Sequence, residues 1–185
     1  QKLSLMMNDL SKIRALIDKL DKQIIKNLNE RGKLAQKIKK AKSLSNNNNI
    51  FRPEREAQIL RSLEESNEGP LTNKNLRSIF REIISSCLSL EKKLNISCLG
   101  PEQSYSNIAL IKFFGSSVDI KFLDSINSIF DNVNHGKMDF GIVPIENSNQ
   151  GSIKTTIDRL IKEDIKICGE VNLTIKHCLL THSKI

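Results

Sequence analysis

Residues 10–42 read LSKIRALIDKLDKQIIKNLNERGKLAQKIKKAK, and the fold of the first half follows from them. Leu10, Ile13, Ile17, Leu20, Ile24 and Leu28 recur at steps of three and four, which places them on one face of a helix. The spacing predicts one long helix from Leu10 to Ser43. Continued past Leu28, the same steps land on Arg31, then Ala35 and Ile38, then Lys42. Two cations thus stand where apolar residues belong. A cation on a core-facing stripe is costly unless an anion meets it, either a carboxylate of the chain or a ligand. Arg31 and Lys42 share a face about 16 Å apart along the axis, while Arg14 lies about 25 Å from Arg31. Arg14 therefore serves a site with Arg31 only if that site is built with another copy of the chain. A long helix with a single apolar stripe needs such a partner to cover it.

Working outward, Asn46 to Asn49 is a low-complexity tract that reads as a loop, and Pro53-Glu54 opens a second helix. Gly69-Pro70 ends that helix, and a third is expected from Asn73 to Leu94. Its stripe is Leu76, Ile79, Phe80, Ile83, Ile84, Cys87, Leu90 and Glu91. Glu91 continues the apolar face one turn beyond Cys87, so it should pair with a cation of the first helix unless it meets a ligand. Beyond Leu94 the period changes. Strands are expected at 96–99, 118–123, 139–145 and 166–181, alternating with helices at 104–114, 125–134 and 152–162. That succession means a mostly parallel or mixed sheet covered by helices. The expected division is a helical domain, 1–94, and an α/β domain, 96–185.

The chain has 185 residues and a net charge of +8. Lys, Asn and Ile are all abundant, and AT-rich codon usage raises the isoelectric point without any anionic partner. With no Trp and one Tyr, stacking on nucleic-acid bases is not expected to drive binding. The competing reading is an anion- or nucleic-acid-binding helical regulator with a ligand-binding α/β lobe. It requires the basic residues to cluster on a solvent face, whereas Arg31 and Lys42 lie in the apolar stripe. Cys87, Cys98, Cys168 and Cys178 contain no C-x-x-C pair and read as reduced, buried thiols. His135, His177 and His182 lack metal-ligand spacing, so no metal is expected. No apolar run reaches the ~18 residues of a membrane span, and no leader is visible. The expectation is a cytoplasmic protein, bound to neither membrane nor nucleic acid.

Taken together, Leu28-Asn29-Glu30-Arg31, Lys39-Lys40-Ala41-Lys42, Arg52-Pro53-Glu54-Arg55-Glu56 and Phe80-Arg81-Glu82-Ile83-Ile84-Ser85-Ser86-Cys87 resemble the all-helical chorismate mutases over residues 8–94. The resemblance implies a three-helix module in an intertwined homodimer formed through the long first helix, with no cofactor. It implies that Arg14 from the partner copy and Arg31 bind the two carboxylates of chorismate. Lys42 would touch a carboxylate and the ether oxygen, Glu56 would accept the ring hydroxyl, Arg55 would support the site, and Glu91 would hydrogen-bond the ether oxygen. Arg52 stands where the family often has an acid, and Cys87 where it often has a small hydroxyl residue. Lys42 and Glu91 are the expected catalytic pair; Arg14, Arg31, Arg52, Arg55, Glu56 and Cys87 complete the substrate site.

The second half carries Leu99-Gly100-Pro101-Glu102-Gln103-Ser104-Tyr105-Ser106, Val143-Pro144-Ile145-Glu146-Asn147-Ser148-Asn149-Gln150-Gly151, and the run Glu170 to Leu180. These resemble the periplasmic-binding-protein-like domain of prephenate dehydratase, with Gln103 where that family commonly has Gly. The resemblance covers 96–185, about half of that enzyme, and the family's Thr-Arg-Phe motif does not appear. Ser104, Tyr105, Glu146, Asn147 and Ser148 are the candidates for the dehydratase site. The order of the halves is similar to the bifunctional bacterial enzymes of phenylalanine synthesis. It implies chorismate and prephenate as ligands, and L-phenylalanine only in a form with the family's regulatory domain.

Overall fold

The computed structural model describes residues 2–44, 51–148, 151–176, 178 and 180–182, with side chains of the first helix from 9 to 42. The Asn46–Asn49 tract and His177 lie outside the described residues. The helical half consists of α1 (Lys2–Leu44), α2 (Pro53–Glu65) and α3 (Asn73–Ser89). Pro53 begins α2, as its fixed φ and missing N–H favour. Thr72 caps α3 by accepting a hydrogen bond from Asn75 N. α3 packs on both α1 and α2, and Gly32 lets α1 approach: a Cβ there would stand 3.2 Å from Leu90 Cδ1.

α3 is shorter than its stripe predicts. It ends at Ser89, not Leu94, because the chain tightens into i→i−3 bonds, Leu90 N to Cys87 O and Glu91 N to Leu88 O. The turn swings Leu94 into the core of the second half, where it is buried. Glu91 consequently sits in the turn after the helix, yet remains buried.

The α/β half has β1 (Asn95–Leu99), α4 (Tyr105–Phe114), β2 (Asp119–Leu123), α5 (Ile126–Asn134), β3 (Phe140–Ile142), the short pair β4 (Glu146–Asn147) and β5 (Gly151–Ser152), and α6 (Lys154–Lys162). β1 is the centre of a parallel sheet in the order β2-β1-β3, with Ile96 opposite Ile120 and Phe140. Its side chains alternate. Ile96 and Cys98 join Leu110 and Phe114 of α4 in the core, while Ser97 lies beside Gly141 under α5. A Cβ on Gly141 would stand 2.6 Å from Ile129 Cγ2, so α5 rests on β3 at a distance only glycine allows.

Phe51, two residues ahead of α2, belongs to this second core. It is 5% exposed, and its ring lies 5.1 Å from those of Phe114 and Phe140 and 6.2 Å from that of Phe113. The halves are also joined where α3 meets α4 and the loop after it. There the Glu82 carboxylate accepts from Ser116 N and Oγ, and Ser85 Oγ accepts from Ser117 N.

Two expectations fail in this half. The described residues of 166–181 form no strand. A strand requires an edge to pair with, and this segment instead crosses α4. Lys112 Nζ donates to Asn172 O at 2.6 Å, and Gly169 lies against the Phe113 ring. For the same reason the cysteines are not all buried. Cys87 and Cys98 are, whereas Cys168 and Cys178, on the unpaired segment, are exposed. Burial pushes the Cys98 thiol up to about 11, so it stays protonated.

Candidate active site

The charged residues of the apolar stripes converge in two clusters between the three helices. In the first, Lys42 of α1 donates to Glu91 Oε2 at 3.1 Å, with the carboxylate side chain 9% exposed. In the second, Glu56 of α2 meets Arg81 of α3: Arg81 Nη1 donates to Glu56 Oε2 at 2.7 Å. Arg31 comes from α1 and donates to the Ile83 carbonyl of α3 at 3.4 Å, a weak bond at that length. Burial raises the Glu56 carboxyl above its ordinary value, while the Arg81 charge and hydrogen bond and the Arg31 charge pull it down without cancelling the effect. Lys42 meets the buried carboxylate of Glu91, and Arg31 lies near enough to the part-buried carboxylate of Glu56 for its charge to act on it.

Cys87 is buried and lines an open groove of about 530 Å³ between α1 and α3, together with Leu28, Gly32, Gln36, Ile83 and Leu90. The charge clusters do not line this groove; their own side chains close on each other. Other candidates stand apart. Arg55 is exposed and donates to Gln58 Oε1 at 2.7 Å. Arg52 is exposed just before α2, and Arg14 is exposed on the upstream half of α1. Around Arg14 the apolar stripe is uncovered, with Ile13, Ile17, Leu20 and Ile24 each at least half exposed.

Arg81 is the member of the cluster that the sequence reading did not single out. It stands three residues before buried Ile84 and six before buried Cys87. The signal was a third cation in register with an apolar face, the same signal that marked Arg31.

The dehydratase candidates are split between two loops. Ser104 caps α4: its hydroxyl accepts from Asn107 N and donates to Leu99 O at 2.9 Å. Tyr105 follows and is exposed. Glu146, Asn147 and Ser148 are exposed after β3. β1 and β3 are parallel neighbours, so both loops leave the sheet at the carboxyl end of its strands, where open α/β sheets form their sites. Thr156 of α6, fully buried, donates to Pro144 O at 2.7 Å and anchors the second loop. Gln103 adopts a φ of 66°, a left-handed conformation in which the family's usual Gly is unstrained.

A three-helix module holding two cation–carboxylate clusters is joined to a parallel α/β lobe whose two motif-bearing loops leave the carboxyl ends of β1 and β3. Residues 13–92 match the chorismate mutase type II family and residues 96–185 match prephenate dehydratase, and the chain belongs to these two families in that order. Among similar proteins are bifunctional chorismate mutase/prephenate dehydratases. That of Stutzerimonas stutzeri is 42% identical over 94% of this chain and 48% of its own length. Those of Pseudomonas aeruginosa (94% of this chain, 48% of its own) and Aquifex aeolicus (96% and 50%) are each 38% identical. The chain spans about half the length of the curated relatives it matches. Among the described residues, no helix is long and apolar enough to cross a membrane.

Proposed function

We propose that the helical half is a chorismate mutase, which converts chorismate to prephenate. The observation that carries this reading is a pair of cations on the apolar stripe of α1, with Lys42 against the buried Glu91 carboxylate and Arg31 within reach of the Glu56 charge. The reaction is a concerted rearrangement in which an ether C–O bond breaks as a C–C bond forms, with no nucleophile. Catalysis then consists of holding a dicarboxylate in its reactive shape and stabilising charge that grows on the ether oxygen. Arg31 and Lys42 supply the cations. Lys42 is paired with Glu91 while Arg31 donates to the Ile83 carbonyl, so a substrate dianion enters by exchange, taking over the cation that Glu91 otherwise holds. Glu91 donates to the ether oxygen only as the acid, because a carboxylate has no proton to give.

Half-exposed Ile13, Ile17, Leu20 and Ile24 support a homodimer in which a second copy covers α1, and Arg14 of the partner subunit then completes the site. The boundary between domains falls at 94–96 on this reading. The dehydratase reaction, prephenate to phenylpyruvate, belongs to a protein carrying the remainder of that domain. L-Phenylalanine acts only on a form with the regulatory domain. The setting is the cytoplasm.

Loss of chorismate absorbance with purified protein tests the mutase reading, and no loss above the uncatalysed rate refutes it. Phenylpyruvate should not form from prephenate with these 185 residues. Arg14→Ala and Arg31→Ala subunits, each inactive alone, should regain activity when co-refolded, because one mixed site then holds both arginines. A verified heterodimer without activity rejects the shared site.

A further inference from the structure

Two ion pairs join α2 to α3, and they differ in kind. Arg77 grips Glu64 with two bonds, Nε to Oε1 at 2.7 Å and Nη2 to Oε2 at 2.8 Å, on the exposed side. That pair suffices to register one helix on the other. Arg81 and Glu56 meet by one bond, with side chains only 16% and 12% exposed. Burying two charges costs more than an exposed pair returns, so helix docking alone does not account for this pair. The single bond occupies Oε2, and Oε1 takes no hydrogen bond among the described residues. The carboxylate is held at one oxygen and open at the other, as an acceptor for a ligand hydroxyl must be. Arg81 is itself braced from the other half of the chain: its guanidinium lies 5.8 Å from the centroid of the Phe113 ring of α4.

Building on the mutase reading, we infer that Arg81 is a positioning residue for Glu56, holding that carboxylate in place and the α2 face toward the site. It acts through Glu56 and touches no substrate. The groups that face Glu56 are Arg31 from α1 and Arg81 from α3, and burial works against both. Without Arg81 only the Arg31 charge opposes burial, so Glu56 takes up a proton at higher pH and ceases to accept a hydroxyl. This changes the pH dependence of the reaction, which an ordinary structural clamp would not.

The test compares the whole chain with Arg81→Met, which keeps the stem, and Arg81→Lys, which keeps the charge. In Arg81→Met, kcat/KM should fall about tenfold at pH 6 and recover toward the parent value by pH 8, as expected when a carboxylate loses a neighbouring cation. Arg81→Lys should lie between the two. Independently of activity, the carboxyl carbon of Glu56, followed by ¹³C NMR, should titrate at higher pH in Arg81→Met and move less in Arg81→Lys. A Glu56 titration unmoved in Arg81→Met overturns the inference. So does an equal rise in KM at every pH for both variants, which would place Arg81 on the substrate. A parent chain that leaves chorismate unchanged rejects the mutase reading, while the NMR titration still decides whether Arg81 governs Glu56.

Discussion

Phe51→Ala should destabilise the chain by about 3–5 kcal/mol, although Phe51 precedes the second helix of the helical half. Phe51 is 5% exposed, so nearly the whole ring leaves water on folding. Burying such a ring is worth about 1.5–3 kcal/mol. Its neighbours Phe114 and Phe140 sit 5.1 Å away at interplanar angles of 41° and 72°, tilted and edge-on arrangements that add about 0.5–1.5 kcal/mol per pair. The cavity left between β3 and α4 adds a further cost, because those elements are fixed by the sheet. The assay is urea unfolding followed by far-ultraviolet circular dichroism. With a urea slope of about 2 kcal/mol per molar, the midpoint should fall by about 2 M. Phe51→Leu, which refills part of the space, should cost about half as much. A midpoint shift below about 0.5 M at unchanged slope would show that Phe51 does not join the two halves.

Lys42→Ala should reduce chorismate turnover roughly a hundredfold or more, because its charge serves an oxygen that becomes negative only in the transition state; an altered KM with unchanged kcat would refute that role. Glu91→Gln, which carries an N–H donor of the same reach, should retain turnover, and loss of turnover in a folded protein would remove Glu91 as the ether-oxygen donor. Asp139→Asn should cost about 1 kcal/mol near neutral pH, read by chemical unfolding. Burial works against the Asp139 charge, but hydrogen bonds from Asn95 N and Lys92 Nζ and the Lys92 charge outweigh it and hold the carboxyl below its ordinary value. Its stabilising contribution is therefore present above the unfolded value of about 3.9 and lost as pH falls through the folded one, so the gap between parent and Asp139→Asn should close in acid; a gap independent of pH would contradict this.

The long first helix was legible because its three-four spacing continues from Leu10 to Lys42, and Arg31 and Lys42 stood out as cations at positions of an otherwise apolar stripe. The α/β order was legible in the same way, from short apolar runs separated by helical spacing. What remained hidden were choices of partner. The run around Val171, Leu173 and Ile175 has the alternation of a strand, but alternation says nothing of whether an edge is available, and α4 engages this backbone instead. Glu91 kept its expected burial although the helix stopped before it, since a tight turn returns the next residues to the same side. Arg81 lay on the buried face of α3 in plain view. A lone cation there reads as an ordinary solvated side chain until Glu56 is seen opposite. Phe51 has no periodic neighbours at all, so nothing local shows that it belongs to a core assembled from the other half.

That last contact bears on how the chain is made. Phe140, one wall of the Phe51 site, is 89 positions downstream, and Phe114 is 63. Synthesis proceeds from the N-terminus at about 5–20 residues per second. The three helices therefore leave the ribosome seconds before the rings that anchor the entry to α2 exist. During that interval α2 can dock on α3 through Arg77 and Glu64, but the segment leading into it has nowhere to bury its ring. The helical half is thus translated first and finished last, and an interruption of synthesis between Glu91 and Phe140 would leave an exposed phenylalanine beside an otherwise formed site.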